Sequence, residues 1–468
     1  MTVDAPVAGY AGTVTVEESL VELGRFVTEL SWPAQTAAVQ HATERIVWDS
    51  LAVMIAGGRL AESGRLRARM PVSDGPATVL GASGRTAGAI DAAWLNGVSL
   101  VSLELDEGNK RARGHATAHV LPAALALAEA RHLSGAEFAA AFLAGHEVAS
   151  RFGRAVVLRP GVHPHGNWGV AGSAAAAARL SGLDAAATAA ALDTAGALAL
   201  ATPFRVATAG MGVRNAWIGH ANVAGIQAAA LAQEGEPLTA VARESLGEIL
   251  GDLAVDELTA GLGSDLAVSS GYFKRHASCS YTHPPADAAL AIHAARGPVD
   301  PDEVAAIEIE THHLALGLQG CTWPTRLAAM FSIPYVVAVA LRQGNCSPDA
   351  FNDAHRRDPQ IGRLAAKVGV SVDPQLDGQL PDHRAARLLV HWADGRQTVI
   401  EAENPVGDAD FHPLDEDQLM AKAVGLLGDA SLAALVRRMS GELLTTDDVS
   451  SVLASLLAGD REASLHAE

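Results

Sequence analysis

The chain has 468 residues, of which 49% are apolar and 19% charged. This is enough apolar material for a large core, and the length predicts two or three domains. The formal net charge of −19 excludes nucleic acid as a general partner but allows a small anion held by local basic groups. The three cysteines form no CxxC pair, which argues against a disulfide framework or a zinc ribbon and favours a reducing, cytoplasmic location.

Neither the N-terminus nor the Ala-rich stretch near the middle of the chain predicts a membrane partner. The first twelve residues (MTVDAPVAGYAG) lack a basic region followed by an apolar run, so no signal peptide is expected. The Ala-rich stretch 185–201 is interrupted by Asp193, and we interpret it as buried helix and not as a membrane span.

The N-terminal half has the apolar spacing of helices. Leu20, Leu23 and Val27 begin this pattern, which continues to Gly57-Gly58, where the second helix is predicted to end. A further helix is predicted from Pro122 to His132, with proline in its first turn. The remaining helices of this half are predicted at 85–105, 135–157, 169–180, 184–200 and 219–233.

The pattern changes near residues 267–275. Residues 304–313 and 384–402 alternate apolar and polar side chains, and the second segment contains the turn Ala393-Asp394-Gly395, which predicts a strand and a hairpin. Helices are predicted at 284–295, 332–341 and again from about 415 to 457. We therefore predict a mostly α fold with an α+β lid. Residues 1–266 and 403–468 form a large all-helical domain, and residues 267–402 form the smaller α+β lid domain.

The loop from residue 104 to residue 119 is the first candidate site. It contains the carboxylates of Glu104, Asp106 and Glu107, and His115 and His119 follow within the same 16 residues. Histidine beside a carboxylate suits proton transfer near neutral pH. The alternative is a solvated acidic loop before a helix, with His119 facing a core.

A second candidate is the segment His163-Pro164-His165-Gly166-Asn167-Trp168-Gly169, which precedes an Ala-rich helix. Free N–H groups at a helix start attract carboxylates, although an ordinary polar helix cap explains the same residues. We considered an HxH metal site and rejected it, because no further ligands stand at a recognisable spacing. No metal is predicted.

Three more segments carry groups that fit an anionic ligand. Arg214 follows a glycine-rich turn, and its guanidinium can bind a carboxylate through two hydrogen bonds, although a surface turn is the alternative. Lys274, His276 and Cys279 lie at the predicted domain boundary, where clefts form. Cys279 is either a nucleophile or a small buried hydrophobe. Tyr335 is either a donor to a carboxylate or a core aromatic.

Taken together, the order and spacing of these segments resemble the MmgE/PrpD family, which includes 2-methylcitrate dehydratases, cis-aconitate decarboxylases and iminodisuccinate epimerases. The resemblance covers roughly residues 15–455. It is carried by HATERIVWDSLAVMIAGG, WLNGVSLVSLELDEGNKRARGHATAHVLPAALALAEA, HPHGNWGVAGSAAAAARLSGLD, GVRNAWIGHANVAGIQAAALA, FKRHASCSYTHPPADA, FSIPYVVAVAL and HPLDEDQLMAKA.

The resemblance implies a helical domain built from both chain ends, a smaller α+β lid and an active site between them. It also implies a homodimer that needs no metal or organic cofactor. The family's DFDDT-type segment matches Glu104, Asp106 and Glu107, with Glu where the first Asp is usual and Gly108 where Thr is usual. The other matching positions are His115, His163, Arg214 in place of a lysine, Lys274, Tyr335, His165 in place of a threonine, and Cys279, which is often Cys in dehydratases and resembles His in decarboxylases.

We therefore expect a cofactor-independent lyase that acts on a small di- or tricarboxylate by proton transfer at the carbon next to a carboxylate. The expected catalytic residues are His115, His163, Asp106, Glu104 and Lys274. The expected substrate-binding residues are Lys110, Arg214, Cys279, Tyr335, His165 and His276. An isomerase of the iminodisuccinate type and a non-catalytic relative remain the alternatives.

Overall fold

The computed structural model describes residues 14–232 and 238–466. The N-terminal segment on which the signal-peptide prediction rests lies outside them. The N-terminal half is a body of packed helices. These helices are α1 (Val16–Glu29), α2 (Ala37–Gly58), α3 (Ala61–Arg69), α4 (Ala89–Val101), α5 (Ala116–Ala130), α6 (Gly135–Ala155), α7 (Val170–Leu180), α8 (Ala185–Ala197), α9 (Arg205–Thr208) and α10 (Val213–Ala232).

The body also contains two short sheets that the sequence analysis did not predict. One is the antiparallel pair β1 (Ala77–Thr78) and β2 (Thr86–Ala87), and the other joins β3 (Val156–Leu158) to β4 (Gly251–Leu253). Strands of two or three residues are too short to leave an alternating pattern in the sequence. A π-helix at Arg243–Ile249 and a 3-10 turn at Val255–Leu258 flank β4.

Helix α5 starts earlier than predicted, so the placement of Pro122 in its first turn was wrong. Pro122 lies inside the helix and has no N–H for the carbonyl of Ala118. The buried side chain of Asn222 on α10 fills this gap, since its amide donates to the Ala118 carbonyl at 3.0 Å and accepts from the Ala123 N–H at 2.9 Å. A tertiary contact about 100 residues away along the chain therefore lets the helix run through the proline.

The lid contains a four-stranded sheet in the order β6-β5-β7-β8. Its strands are β5 (Val304–Thr311), β6 (Val368–Val372), β7 (Ala386–Trp392) and β8 (Gln397–Ala402). Strand β6, which the sequence analysis missed, pairs parallel to β5, whereas β7 pairs antiparallel to both β5 and β8. The lid helices are α11 (His283–Arg296), α12 (Arg326–Met330), α13 (Ile333–Gln343), α14 (Asp353–Arg356), α15 (Pro359–Ala365) and α16 (Pro374–Asp377).

Short 3-10 turns connect the lid elements, and two helices cover its sheet. The turns are Ala267–Ser270, Ser280–Thr282, Pro301–Glu303, His313–Leu318 and Pro348–Phe351. Helices α11 and α13 pack against each other, α11 on β7 and β8 and α13 on β6. Leu388 and Val390 of β7 are buried and alternate with the half-buried Arg387, Leu389 and His391, which is the two-residue period of a strand.

The C-terminal tail returns to the body, as the resemblance implied. It forms α17 (Glu416–Leu427), α18 (Ala430–Leu443) and α19 (Val449–His466), and the last of these extends beyond the predicted end at residue 457. Helices α17 and α18 pack on α2, and α19 packs on α5. The fold is therefore a large helical domain built from both chain ends plus a smaller α+β domain. The domain limits at 266 and 403 stay a prediction.

Candidate active site

A loop of carboxylates follows α4 and lies where the lid meets the body. Residues 104–107 are called the carboxylate loop below. Glu104 has a φ of +53°, a left-handed conformation that costs a non-glycine residue of the order of 1 kcal/mol or more. Its carboxylate forms an ion pair with Arg214 of the body and lies 3.3 Å from the Nζ of Lys274 of the lid. These buried ion pairs hold the strained backbone in place.

Asp106, two residues after Glu104, forms a pair with His115. His115 Nδ1 lies 3.0 Å from Asp106 Oδ2 and donates to the backbone carbonyl of Glu107 at 2.8 Å. Nδ1 therefore carries a proton, and Nε2 has no hydrogen-bond partner among the described residues. The His115 side chain keeps 11% of its surface exposed, against 1% for Asp106. An imidazole held in this way presents a free nitrogen that can accept a proton.

The charges of this region support one another. Burial raises the pKa of Asp106, but His115 and Lys274 outweigh burial, and the net pKa lies below its usual range. Burial lowers the pKa of Lys274, but Glu104 and Asp106 outweigh it, and the net pKa lies above its usual range. Asp106 and Lys274 are therefore charged at neutral pH. We call Glu104, Asp106, His115, Arg214 and Lys274 the charged pole.

The second half of the site consists of imidazoles and aromatic rings. The fully buried ring of His165 lies 4.6 Å from the ring of His163 and 5.2 Å from that of His115, edge to face in both cases. Neither nitrogen of His165 has a hydrogen-bond partner among the described residues. Burial lowers the pKa of His163 and of His165 well below the usual value, and Arg214 lowers both further. Both rings are therefore neutral.

The tautomer of His163 follows from its contacts. Its Nδ1 accepts the backbone N–H of His165 at 3.1 Å, so the proton of the neutral ring is on Nε2. The N–H of His163 donates to the Thr202 carbonyl at 2.7 Å, and its own carbonyl accepts from Asn167 at 2.7 Å. His163 is therefore held as a neutral donor, whereas His115 presents an unprotonated Nε2 when it is neutral.

Three aromatic rings enclose His163. They belong to Phe204, Trp217 and Phe331, at centroid distances of 5.3, 5.6 and 6.3 Å. Arg214 lies over Phe331 at 5.3 Å and so connects this region to the charged pole. We call His163, His165 and these three rings the imidazole pole. The sequence analysis did not single out the rings, although Phe331 stands in the FSIPY segment.

The backbone N–H groups before α7 do not provide the anion site that the sequence analysis considered. The N–H groups of His165, Gly166 and Trp168 donate to His163, His119 and Asn167, respectively. They are therefore committed to partners within the chain.

His119 has a structural role in this arrangement. Its Nδ1 donates to the His115 carbonyl at 2.8 Å, its Nε2 accepts from Gly166, and burial lowers its pKa to about 4. A Cβ at Gly169 would lie 2.2 Å from the His119 ring, which explains the glycine. His119 therefore faces the core, as one of the two interpretations of the sequence expected.

Three of the expected substrate-binding residues lie outside this cluster. The buried hydroxyl of Tyr335 donates to the Ala350 carbonyl at 2.7 Å. Lys110 Nζ lies 3.3 Å from Asp408 and 2.6 Å from Asp410. The Nε2 of His276 lies 2.8 Å from an oxygen of Asp287. The structure gives each of these groups its own partner and does not bring them together with the charged pole.

Cys279 lies at the edge of the charged pole, where the charges of Glu104, Lys274 and Arg214 act on it. Its side chain is buried, and burial in the first place, followed by Glu104, raises the pKa of the thiol to about 11. The thiol is therefore neutral at physiological pH and is a poor nucleophile.

The charged groups of the cluster other than His115 are buried. Glu104, Asp106, Lys274 and Arg214 are each 1% exposed. Two surface cavities of about 310 and 630 Å³ lie elsewhere, and neither is lined by a residue of the cluster. Within residues 14–232 and 238–466, no three His, Cys, Asp or Glu side chains are grouped so that they could hold a metal ion. In the same ranges, no helix has the length and apolar character to cross a membrane.

The comparisons with known proteins agree with this architecture. The model of the MmgE/PrpD N-terminal domain matches residues 21–243, and that of the MmgE/PrpD C-terminal domain matches residues 276–438. Among curated proteins, none matches the chain. The two domain models cover the body and the lid in the family order, and the chain belongs to the MmgE/PrpD family.

Proposed function

We propose that the chain is a lyase that acts on a small di- or tricarboxylate, of the 2-methylcitrate dehydratase or cis-aconitate decarboxylase type. The family includes dehydratases and decarboxylases. The observation that carries the proposal is the Asp106–His115 pair. Its carboxylate also faces Lys274 at 3.7 Å, and the ring of His165 lies between His115 and the neutral donor His163. This arrangement suits proton transfer at a carbon that is acidified by a neighbouring carboxylate.

In this proposal, His115 is the base. Its Nδ1–H is held by the Glu107 carbonyl and faces Asp106, which stabilises the imidazolium once Nε2 has taken a proton. Asp106 remains ionised because His115 and Lys274 keep its pKa low. Removal of the proton leaves negative charge on the substrate carboxylate. Lys274 and Arg214 are the cations placed to stabilise this charge.

His163 is the acid. Its Nε2–H is directed by the bond that Nδ1 accepts, and the ring stays neutral because burial lowers its pKa. In a dehydratase, this proton passes to the departing hydroxide, which leaves as water. The imidazolate left on His163 regains a proton from the His115 imidazolium, which closes the cycle. In a decarboxylase, carbon dioxide leaves and an acid protonates the carbon. The ring of His165 lies between the two imidazoles, and neither of its nitrogens has a partner in the part of the chain that the structure describes. His165 is therefore placed to bind a substrate carboxylate.

Glu104 complicates substrate binding, because its carboxylate already occupies Arg214 and Lys274. A substrate carboxylate therefore has to share or displace this internal partner. The burial of the cluster also requires the lid to move. Opening would break the backbone pairing of Gly108 with Tyr272 and the bond from the Phe273 N–H to the Gly407 carbonyl, in addition to the ion pair of Lys274 with Glu104.

An isomerase of the iminodisuccinate type remains the second candidate. The observation that favours it is that His115 and His163 are separate imidazoles, each with a free Nε2 among the described residues. One could remove the proton and the other return it. A non-catalytic relative would not need two nitrogens held in complementary protonation states, so it is the weakest candidate.

The test is proton NMR of the purified enzyme in heavy water with cis-aconitate, 2-methylcitrate, citrate and iminodisuccinate, each alone. Loss of water or of carbon dioxide from one acid would support a lyase and identify its class. Deuterium incorporation without net conversion would contradict the lyase proposal and support the isomerase. No change in any of the four acids would contradict the proposed substrate class.

We also propose that the protein is a cytoplasmic homodimer that needs no metal or cofactor. Light scattering of the purified protein tests the dimer. Activity that survives exhaustive chelation tests the metal requirement, and a complete loss that added metal reverses would overturn that part of the proposal.

A further inference from the structure

A lysine from the C-terminal tail reaches the carboxylate loop. Lys422 lies on α17, and its Nζ donates to the backbone carbonyl of Leu105 at 2.9 Å. The same Nζ lies 2.7 Å from Asp49 of α2. Both side chains are nearly buried, with exposed fractions of 8% and 3%. Lys422 therefore connects the tail, helix α2 and the centre of the carboxylate loop through one ammonium group.

The contacted carbonyl lies between the two key carboxylates. Leu105 separates Glu104, which has the strained left-handed backbone, from Asp106, which faces His115. A bond to the peptide between them restrains the direction of both side chains. Displacements of about 1 Å at a reacting group are enough to reduce rates by roughly 100-fold, so this restraint bears directly on the chemistry.

Lys422 also adds charge where carboxylates are crowded. The groups that act on Lys422 and Asp49 are Asp106 and Glu107 of the loop and Lys274 of the lid. Burial lowers the pKa of Lys422 and raises that of Asp49, and the attraction between the two groups offsets this effect only in part. Removing either member therefore changes the charge near the Asp106–His115 pair, with opposite signs.

We propose that Lys422 is a positioning residue of the active site, which holds the carboxylate loop through Leu105 and, together with Asp49, sets the electric field at the Asp106–His115 pair. The inference rests on the proposed function in that it takes this pair as the base. It adds a residue from the C-terminal tail, which the candidate site residues of the sequence analysis did not include.

The experiment compares Lys422→Met, Asp49→Asn and Lys422→Arg with the wild type. The first measurement needs no substrate, because it follows the ring signal of His115 by NMR against pH in protein with labelled histidine. Loss of the Lys422 charge favours the protonated ring and moves the midpoint to higher pH, whereas loss of the Asp49 charge moves it to lower pH. We expect shifts of about 0.5–1 pH unit in opposite directions, and Lys422→Arg stays near the wild type.

The second measurement is the pH profile of kcat/KM with the acid that the heavy-water experiment identifies. The acidic limb of this profile moves to higher pH in Lys422→Met and to lower pH in Asp49→Asn. Lys422→Met also loses at least roughly 10-fold in kcat. Asp49→Asn keeps the bond to Leu105 and stays within about threefold of the wild type. Midpoints that do not move, or that move in the same direction in both variants, overturn the inference.

A double variant covers the case in which Lys422→Met does not fold. Lys422→Met combined with Asp49→Asn leaves no unpaired buried charge. We expect its midpoint near the wild-type value but its kcat reduced about as much as in Lys422→Met. An unreduced kcat in this double variant contradicts the positioning role. The two failures are distinguishable. If the midpoints of Lys422→Met and Asp49→Asn shift in opposite directions while the wild type converts none of the acids, the electric field is supported and the proposed function is overturned.

Discussion

Burial acts on both poles of the site, but the charged pole holds ionised groups and the imidazole pole holds neutral ones. In the charged pole, the carboxylates of Glu104 and Asp106 meet Arg214, Lys274 and His115 at ion-pair distance. In the imidazole pole, His163 and His165 lie among aromatic rings, and burial together with the charge of Arg214 keeps both uncharged. Desolvation acts in both regions, and only the presence of a counter-charge decides the outcome.

This difference gives each pole its role in the proposed reaction. A buried charge that is already paired can stabilise charge developing on a substrate without large rearrangement. A neutral imidazole with a fixed tautomer can deliver a proton without first acquiring one from solvent. The following changes remove the charge from one pole, remove the donor from the other, or leave both poles intact.

Breaking the Asp106–His115 pair should have the largest effect. Asp106→Asn keeps the shape but removes the charge that stabilises an imidazolium at His115. We expect kcat to fall by about 10³–10⁴-fold, the upper part of the range for a positioned acid or base. Steady-state kinetics with the acid identified by NMR measures this, and circular dichroism checks the fold. A fall of less than tenfold would exclude His115 as the base.

Removing the donor from the imidazole pole should have a smaller but clear effect. His163→Gln keeps a polar side chain in place but cannot transfer a proton, and we expect kcat to fall by about 10²–10³-fold. His119→Gln is the matched control, since His119 is buried nearby but bonded to the His115 carbonyl and to Gly166. Equal losses in both variants would indicate a packing defect and not the loss of an acid.

The residues near the site show which features could be predicted from the sequence alone. The carboxylate loop, His115 and the two histidines at 163 and 165 were predicted, because their chemistry is clustered along the chain. Tyr335 and Lys110 have the same chemistry, but their partners Ala350 and Asp408 are set by tertiary contacts. The sequence could not distinguish such committed groups from free ones.

The same limit applies to what the sequence analysis missed. Helix α5 runs through Pro122 because Asn222 is next to it in space, and Lys422 reaches Leu105 across 317 positions. The periodicity of the helices and of β5, β7 and β8 is local and was predicted correctly. The parallel strand β6 pairs with a strand about 60 residues earlier, and its segment was not interpreted as a strand.

The neutrality of the imidazole pole predicts how stability depends on pH. His165 has a folded-state pKa well below the ordinary 6.5, so the unfolded chain binds the extra proton as the pH falls below about 6.5. The free energy of unfolding should therefore decrease from there downward, by about 1.4 kcal/mol per pH unit for each such histidine. Urea unfolding of the wild type and of His165→Phe between pH 5 and pH 8 measures this.

The His165→Phe variant should lose the part of the pH dependence of the free energy of unfolding that one histidine contributes, because phenylalanine cannot take up the proton in the unfolded state. His132→Gln, at a side chain that is 66% exposed, is the control and should follow the wild type. If His165→Phe keeps the full slope, His165 does not remain neutral in the folded protein, and the contrast between the two poles fails.

The smallest effect is expected at Tyr335, which matches the family motif but has a hydroxyl that is bonded within the lid. Tyr335→Phe removes the hydroxyl that donates to the Ala350 carbonyl but keeps the ring that packs on Trp323 and Phe351. We expect a loss of about 1 kcal/mol in the free energy of unfolding and a kcat and KM within about twofold of the wild type. A KM raised tenfold or more, with unchanged stability, would instead show that the hydroxyl leaves Ala350 and binds substrate when the lid moves. In that case, Tyr335 would join the charged pole as a third donor to the substrate carboxylate.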